Sequence, residues 1–160
     1  RGSEHVVAAV QRNEIRGVVA RLFTVYGPGE HAGRLLPSML SACATHGPIE
    51  LTAGLQRRDF TYVDDVAEGL LRLGLLPAPL AEGALNLATG RLESVRDFAL
   101  RAGKVLGIGE ERLKFGALPT RPEEMAHEPV SVRRLSELTG WTPPTSVEEG
   151  VQRTAASSGA

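Results

Sequence analysis

Residues 17–23 read Gly-Val-Val-Ala-Arg-Leu-Phe and run, after Thr24 and Val25, into the turn Tyr26-Gly27-Pro28-Gly29. Such a run is too short for a buried helix and is rich in β-branched residues, so it predicts a strand. Its apolar side chains are nearly continuous, not alternating, which predicts burial on both faces, as in a parallel sheet. The glycine and proline cluster that follows supplies a tight turn. A parallel strand needs a crossover, so helices must alternate with strands through the rest of the chain.

The remaining pattern agrees. Val6, Val7 and Val10 form an apolar stripe on an opening helix that Ser3 is placed to cap. A helix is predicted over Arg34–Thr45, with Pro37 tolerable only in its first turn, and a short strand over Ile49–Thr52. Gly54–Arg58 reads as a polar loop and Phe60–Val63 as a strand. Asp65 and Glu68 form a capping box before an apolar helix, Val66–Leu76, that stops at Pro77-Ala78-Pro79. Ala84–Ala88 is a further strand, and Ser94 caps a helix that ends at Gly107. Leu113–Phe115 reads as a last short strand. After a Pro- and Glu-rich stretch from Pro119 to Pro129 come two short helices. One runs from Ser131 to Thr139 and is closed by Gly140; the other is capped by Ser146 with Glu149. The tail 157–160 is expected to be loose. Apart from that last short one, the strands number three or four, few for a doubly wound sheet. With a helix first and no lead-in strand, the sequence reads as opening in the middle of an α/β fold, as a fragment or processed product would.

Composition narrows the partners. The 160 residues carry a formal net charge of −1, which gives no case for nucleic acid or an anionic membrane. Cys43 is the single cysteine, so an intrachain disulfide is impossible, and its apolar neighbours make it a helix or core residue. No apolar run approaches the roughly 18 residues of a membrane span, and no stretch resembles a signal peptide. A reducing, cytoplasmic setting is expected. His5, His31, His46 and His127 are scattered, without zinc spacing, and surface positions are expected for them. Sixteen of the 18 basic residues are arginine, which suits phosphate binding but equally reflects coding bias.

The most informative segment is Gln56-Arg57-Arg58-Asp59-Phe60-Thr61-Tyr62-Val63-Asp64-Asp65. An arginine on a loop before a strand can clamp a pyrophosphate through charge-assisted hydrogen bonds. Equally, Arg58 and Asp59 can be a surface pair of little energetic weight. Asp64 and Asp65 have a sufficient role at a helix N-terminus, where the dipole favours carboxylates. The residue types leave these alternatives open.

Four blocks in order carry a family resemblance. The segment above resembles the RDF-x-YV-x-D signature of extended short-chain dehydrogenase/reductases, the NAD-dependent nucleotide-sugar epimerase/dehydratase family. Arg21–Gly29 is similar to that family's RLFN-x-YGPG turn. Leu85-Asn86-Leu87-Ala88-Thr89-Gly90 with Ser94-Val95 resembles its YNLG-x-G…SV element. Arg121-Pro122, followed by Leu138-Thr139-Gly140-Trp141-Thr142-Pro143, resembles its RPGD…LGW-x-P ending. The opening Glu4-His5 resembles the helix that follows the catalytic Tyr-x-x-x-Lys.

The resemblance implies an α/β fold: the C-terminal part of a Rossmann-like extended short-chain dehydrogenase, with its small substrate-binding subdomain. Residues 1–30 would end the Rossmann-like core. Residues 31–160 would form mostly the substrate-binding subdomain, with 60–90 returning to the core sheet. It implies that Phe23 touches the nicotinamide end of NAD or NADP, a cofactor bound mainly by an upstream half. Thr24 stands where Asn usually binds the substrate diphosphate, and Thr has one hydroxyl and a shorter reach. Leu36 is implied to line the nucleotide pocket, Arg58 and Arg121 to bind the diphosphate, and Glu124 to bind the ribose. Thr52 and Ala53 replace the usual glycine and aspartate, which predicts a loop of different shape.

No catalytic residue is assigned. Neither Tyr26 nor Tyr62 has a lysine four positions on, and no Gly-rich turn has dinucleotide-binding spacing. The implied function is the nucleotide-sugar-binding portion of an epimerase or dehydratase, an isomerase or lyase, inactive as this chain alone. The alternatives are a stand-alone nucleotide-binding module and a degenerate structural domain. The opening helix, His5–Arg12, matches the family's dimer helix, so a homo-oligomer or a complex with a missing N-terminal half is expected.

Overall fold

The computed structural model describes residues 2–77, 83–120 and 127–158. Four two-stranded ladders organise them. Strand β1 (Val19–Leu22) and strand β2 (Thr24–Tyr26) follow helix α1 (Gly2–Gln11). Helix α2 (Leu35–Thr45) leads to β3 (Ile49–Leu51), the two-residue strand β4 (Arg57–Arg58) and β5 (Phe60–Tyr62). Helix α3 (Val63–Gly74) precedes β6 (Ala84–Leu87), and β7 (Glu93–Ser94) precedes helix α4 (Val95–Val105). Strand β8 (Leu113–Phe115), α5 (Arg133–Thr139) and α6 (Val147–Ser157) complete the chain. β1 pairs with β6, β2 with β5 and β3 with β8, all parallel. β4 pairs antiparallel with β7.

The β1–β2 segment changes partner at Phe23. Val19 to Leu22 face Ala84 to Leu87, whereas Thr24 to Tyr26 face Phe60 to Tyr62. The Thr24 amide donates to the Asp59 carbonyl at 3.0 Å and fixes the switch. Parallel strands that part in this way open a crevice at their carboxyl ends, the usual place for a ligand in α/β proteins. Gly27 lets the chain turn there. Its φ is +140°, and a Cβ would lie 2.6 Å from Val63 Cγ1.

Two apolar cores flank this switch. One joins Tyr26, Leu36, Met39, Tyr62, Phe98 and Val151 with their neighbours, and half-buried Cys43 on α2 packs against it. The other joins Val66, Leu73, Leu85, Leu87 and Leu135 beneath β1 and β6. Ser94 and Ser146 cap α4 and α6 as their sequence positions predict, accepting from the Asp97 and Glu149 amides. Asp64 and Asp65 occupy the first turn of α3.

Several expectations are corrected. Ser3 lies inside α1, which already begins at Gly2. β1 is not buried on both faces: Val19 and Ala20 are half-buried, Arg21 and Leu22 exposed, because β1 pairs only with β6 among the described residues. Arg57 and Arg58 are not loop but strand, drawn into pairing with Ser94 and Glu93. Asp65 does not cap α3. The helix starts two residues earlier, and the Asp65 carboxylate instead accepts from the Thr145 amide at 3.0 Å and hydroxyl at 2.8 Å. Glu68 pairs with Arg72. Three or four strands become eight among the described residues, all of only two to four residues, too short to read as periodic.

Candidate functional site

A cleft of about 280 Å³ opens beside the strand switch. Its apolar walls are Tyr26, Leu35, Leu36, Phe60, Val95 and Phe98; its polar groups are Thr24, Glu30, Arg34 and Arg58. Phe60 and Phe98 stack at 4.1 Å between ring centroids, and Tyr26 meets Phe98 edge-on at 5.2 Å, giving the cleft a rigid aromatic side. Thr24, Leu36 and Arg58, three of the residues singled out in the sequence, all line this cleft. Phe23 does not line this cleft. It sits half-buried at the switch, its ring 6.4 Å from that of His127. Arg121 and Glu124 lie outside the described residues.

Each side chain is positioned by backbone pairing. Arg58 is held in β4 opposite Glu93, and its Nη1 donates to the Arg57 carbonyl at 2.8 Å. The loop before it docks on α4: the Val95 amide donates to the Gln56 carbonyl at 3.0 Å, and the Arg96 amide to the Gly54 carbonyl at 2.9 Å. The Thr52-Ala53 departure thus leads into an anchored loop. Leu36, in the first turn of α2, is fully buried against the first core.

Asp59 supplies the clamp that sequence reasoning missed. It is 1% exposed, which rules out a surface pair with Arg58. Its Oδ1 accepts from the Thr89 amide and hydroxyl, both at 2.9 Å, and from the Thr61 hydroxyl at 3.3 Å. Its Oδ2 accepts from the Arg91 amide at 3.1 Å. One carboxylate thereby ties the turn after β6 to the strand that carries Arg58. The signal in the sequence was its place between Arg58 and an alternating strand, but residue type alone did not reveal the burial.

Glu30 and Arg34 were also missed. Arg34 Nε donates to Glu30 Oε1 at 3.1 Å. Burial pushes the Glu30 carboxyl above its ordinary range, opposed by Arg34 and the Gly27 backbone. His127 departs from its expected surface position: it is half-buried, and its Nδ1 has no hydrogen-bond partner among the described residues. Tyr26 is structural. Its hydroxyl donates to the Ser146 carbonyl at 3.3 Å, and burial, followed by the nearby Asp65 charge, drives its pKa far upward.

A second cleft is larger, about 370 Å³, and includes Arg91, Arg101, Glu93, Asp97 and Ser146. Arg101 is already bound to Glu93 and, through Nε at 2.7 Å and Nη2 at 2.6 Å, to Glu148. Among the described residues, no group of three His, Cys, Asp or Glu side chains is placed to hold a metal. No described helix is long and apolar enough to cross a membrane.

Residues 1–88 match the family model described as the NAD dependent epimerase/dehydratase family. The chain belongs to that family. It is 31% identical over 151 residues to a probable UDP-glucuronate 4-epimerase of Rhizobium meliloti, covering 83% of this chain and 43% of the relative. An epimerase structure from Methanothermobacter thermautotrophicus superposes with a TM-score of 0.79 at 25% identity, over 97% of this chain and 46% of that one. MoeE5, solved with UDP-glucuronic acid and NAD, gives a TM-score of 0.79 at 26% identity, over 96% of this chain and 51% of its own. The chain thus spans about half the length of these family members, and its α/β architecture is the Rossmann-like one of the extended short-chain dehydrogenases.

Proposed function

We propose that this chain is the nucleotide-sugar-binding portion of an NAD- or NADP-dependent sugar epimerase or dehydratase. The observation that carries the reading is the convergence of Thr24, Leu36 and Arg58 on one aromatic-walled cleft at the strand switch. A guanidinium offers paired donors to a diphosphate, and apolar walls suit a flat base or sugar face. Arg121 would add a second phosphate contact and Glu124 a ribose contact. The division proposed from the sequence puts residues 1–30 with 60–90 on the core sheet and most of 31–160 in the substrate-binding subdomain; both apolar cores draw on both sets, Tyr26 and Tyr62 packing with Leu36 and Phe98, and Leu85 and Leu87 with Leu135.

The cofactor fits this chain only at its margin. Gly27 and Gly29 do precede a helix, but α2 begins only at Leu35, too far along to present its N-terminus to a pyrophosphate at that turn. Phe23, half-buried at the switch, offers an apolar contact to a nicotinamide ring. A bound nicotinamide would supply hydride-transfer chemistry. This chain's residues bind and orient the sugar nucleotide and shield it from water, while proton transfer falls to residues outside it. The exposed side of β1, with Leu22 46% exposed and Ile15 45% exposed nearby, is the surface on which an upstream half or a second copy would pack. A cytoplasmic setting accords with NAD chemistry.

The test is co-expression with a Rossmann half of the family, followed by an assay of NAD reduction with UDP- and dTDP-sugars. A complex with turnover, and no turnover by this chain alone, is the expected result. No complex and no turnover refutes the enzymatic reading. A stand-alone binding module is the second reading, in which the cleft of Thr24, Leu36 and Arg58 takes a nucleotide by itself. It predicts UDP binding without any partner protein, lost in Arg58→Ala.

A further inference from the structure

Two buried side-chain polar atoms lack a hydrogen-bond partner among the described residues, Glu30 Oε2 and His127 Nδ1. Glu30 is the one that lines the cleft, and diphosphate binding gives it no part. Its side chain is 13% exposed. The turn holds it in place, since its amide donates to the Gly27 carbonyl at 3.3 Å. Arg34 occupies Oε1, so only Oε2 is left without a donor.

A buried acceptor without a donor is unfavourable, and native proteins leave few of them. A ligand that brings a donor removes the defect. A phosphate does not, because at neutral pH it offers acceptors and a like charge. The group that meets Glu30 must therefore be a hydroxyl or an N–H. The cleft is thus polarised: a cation, Arg58, for the anionic part of a ligand, and a lone acceptor, Glu30, for a donor-bearing part. Burial favours this further, since a carboxylate kept from water gains more from a charge-assisted bond.

We propose that Glu30 selects the ligand of this cleft by accepting, at Oε2, a hydrogen bond from a donor of the bound nucleotide, either a ribose hydroxyl or the imide N–H of a base. This rests on the cleft being the nucleotide-sugar site. Specificity of this kind is strong, because an analogue without the donor leaves the buried acceptor unpaired.

The experiment is calorimetric titration of the full chain with UDP, 2′,3′-dideoxy-UDP, N3-methyl-UDP and inorganic pyrophosphate. The wild type is compared with Glu30→Ala, Glu30→Gln and Arg58→Ala. The wild type is expected to bind one of the two UDP analogues about tenfold more weakly than UDP, and which one identifies the donor as ribose or base. Glu30→Ala is expected to bind UDP and that analogue alike, with pyrophosphate binding not weakened. Glu30→Gln guards against a folding defect. Arg34 holds its amide oxygen, its NH2 stands at the Oε2 position, and the same loss of discrimination follows. Variants that discriminate as the wild type does, or a wild type that binds all three nucleotides alike, overturn the proposal. UDP and pyrophosphate that fail to bind, or bind undiminished in Arg58→Ala, overturn the cleft assignment and the proposal with it.

Discussion

Replacing Asp59 tests whether the strand carrying Arg58 is clamped as described. Asp59→Ala removes the acceptor of two backbone amides, Thr89 and Arg91, and of the Thr89 and Thr61 hydroxyls. The site is 1% exposed, so water does not replace the carboxylate without rearrangement. Each buried donor left unsatisfied costs about 1–3 kcal/mol; the Arg91 amide keeps the Thr89 hydroxyl as a second acceptor at 3.1 Å, so the Thr89 amide and the Thr61 hydroxyl carry the loss, about 2–6 kcal/mol in all. That is a large share of the roughly 5–15 kcal/mol that holds a domain together. Asp59→Asn is the informative control. It can keep its oxygen toward Thr89 but sets an NH2 against the Arg91 amide, so its cost is about 1–2 kcal/mol. Urea unfolding followed by circular dichroism and by Trp141 fluorescence measures both. The order wild type, Asn, Ala is expected, with the Ala variant losing UDP binding as Arg58 comes loose. An Asp59→Ala variant within about 0.5 kcal/mol of wild type refutes the clamp.

Further predictions concern packing, pH and association. A Cβ at Gly69 would collide with Leu87 Cδ1 and lie 3.1 Å from the Trp141 ring, so Gly69→Ala is expected to destabilise by about 1–3 kcal/mol in the same unfolding assay. Arg101 holds the Glu148 carboxyl down at about 2. The unfolded chain therefore takes up this proton first, so the stabilisation is present above the ordinary carboxylate range and is lost as pH falls through about 2. The pair is 40% and 50% exposed, which limits the effect to about 1 kcal/mol or less, and Arg101→Met is expected to lose less stability across that window in acid titrations. The half-exposed Leu22 and Ile15 predict self-association or capture of a partner half, and a clean monomer by light scattering at micromolar concentration counts against it.

The sequence made the helices and their ends legible where a local rule governs them. Ser94 and Ser146 cap because a hydroxyl three residues before an amide needs no tertiary help. Asp65 obeys the same rule on paper and breaks it in the fold, because Thr145, 80 residues away, offers it an amide and a hydroxyl. The two-residue strand β4 was hidden for the same reason: its pairing with β7 is long-range and carries no periodicity. Three of the proposed site residues, Thr24, Leu36 and Arg58, were named from motif resemblance and meet in one cleft. Phe23 stands apart from that cleft. Asp59 and Glu30 were not legible, because burial and an unpaired oxygen are properties of packing and not of residue type.

A structure of this chain with UDP bound tests the central claim most directly. The account predicts the diphosphate within hydrogen-bonding distance of the Arg58 guanidinium, in the cleft walled by Leu36, Phe60 and Phe98. A nucleotide seated instead in the larger cleft beside Arg91 and Arg101, or no bound nucleotide at saturating UDP, would contradict it.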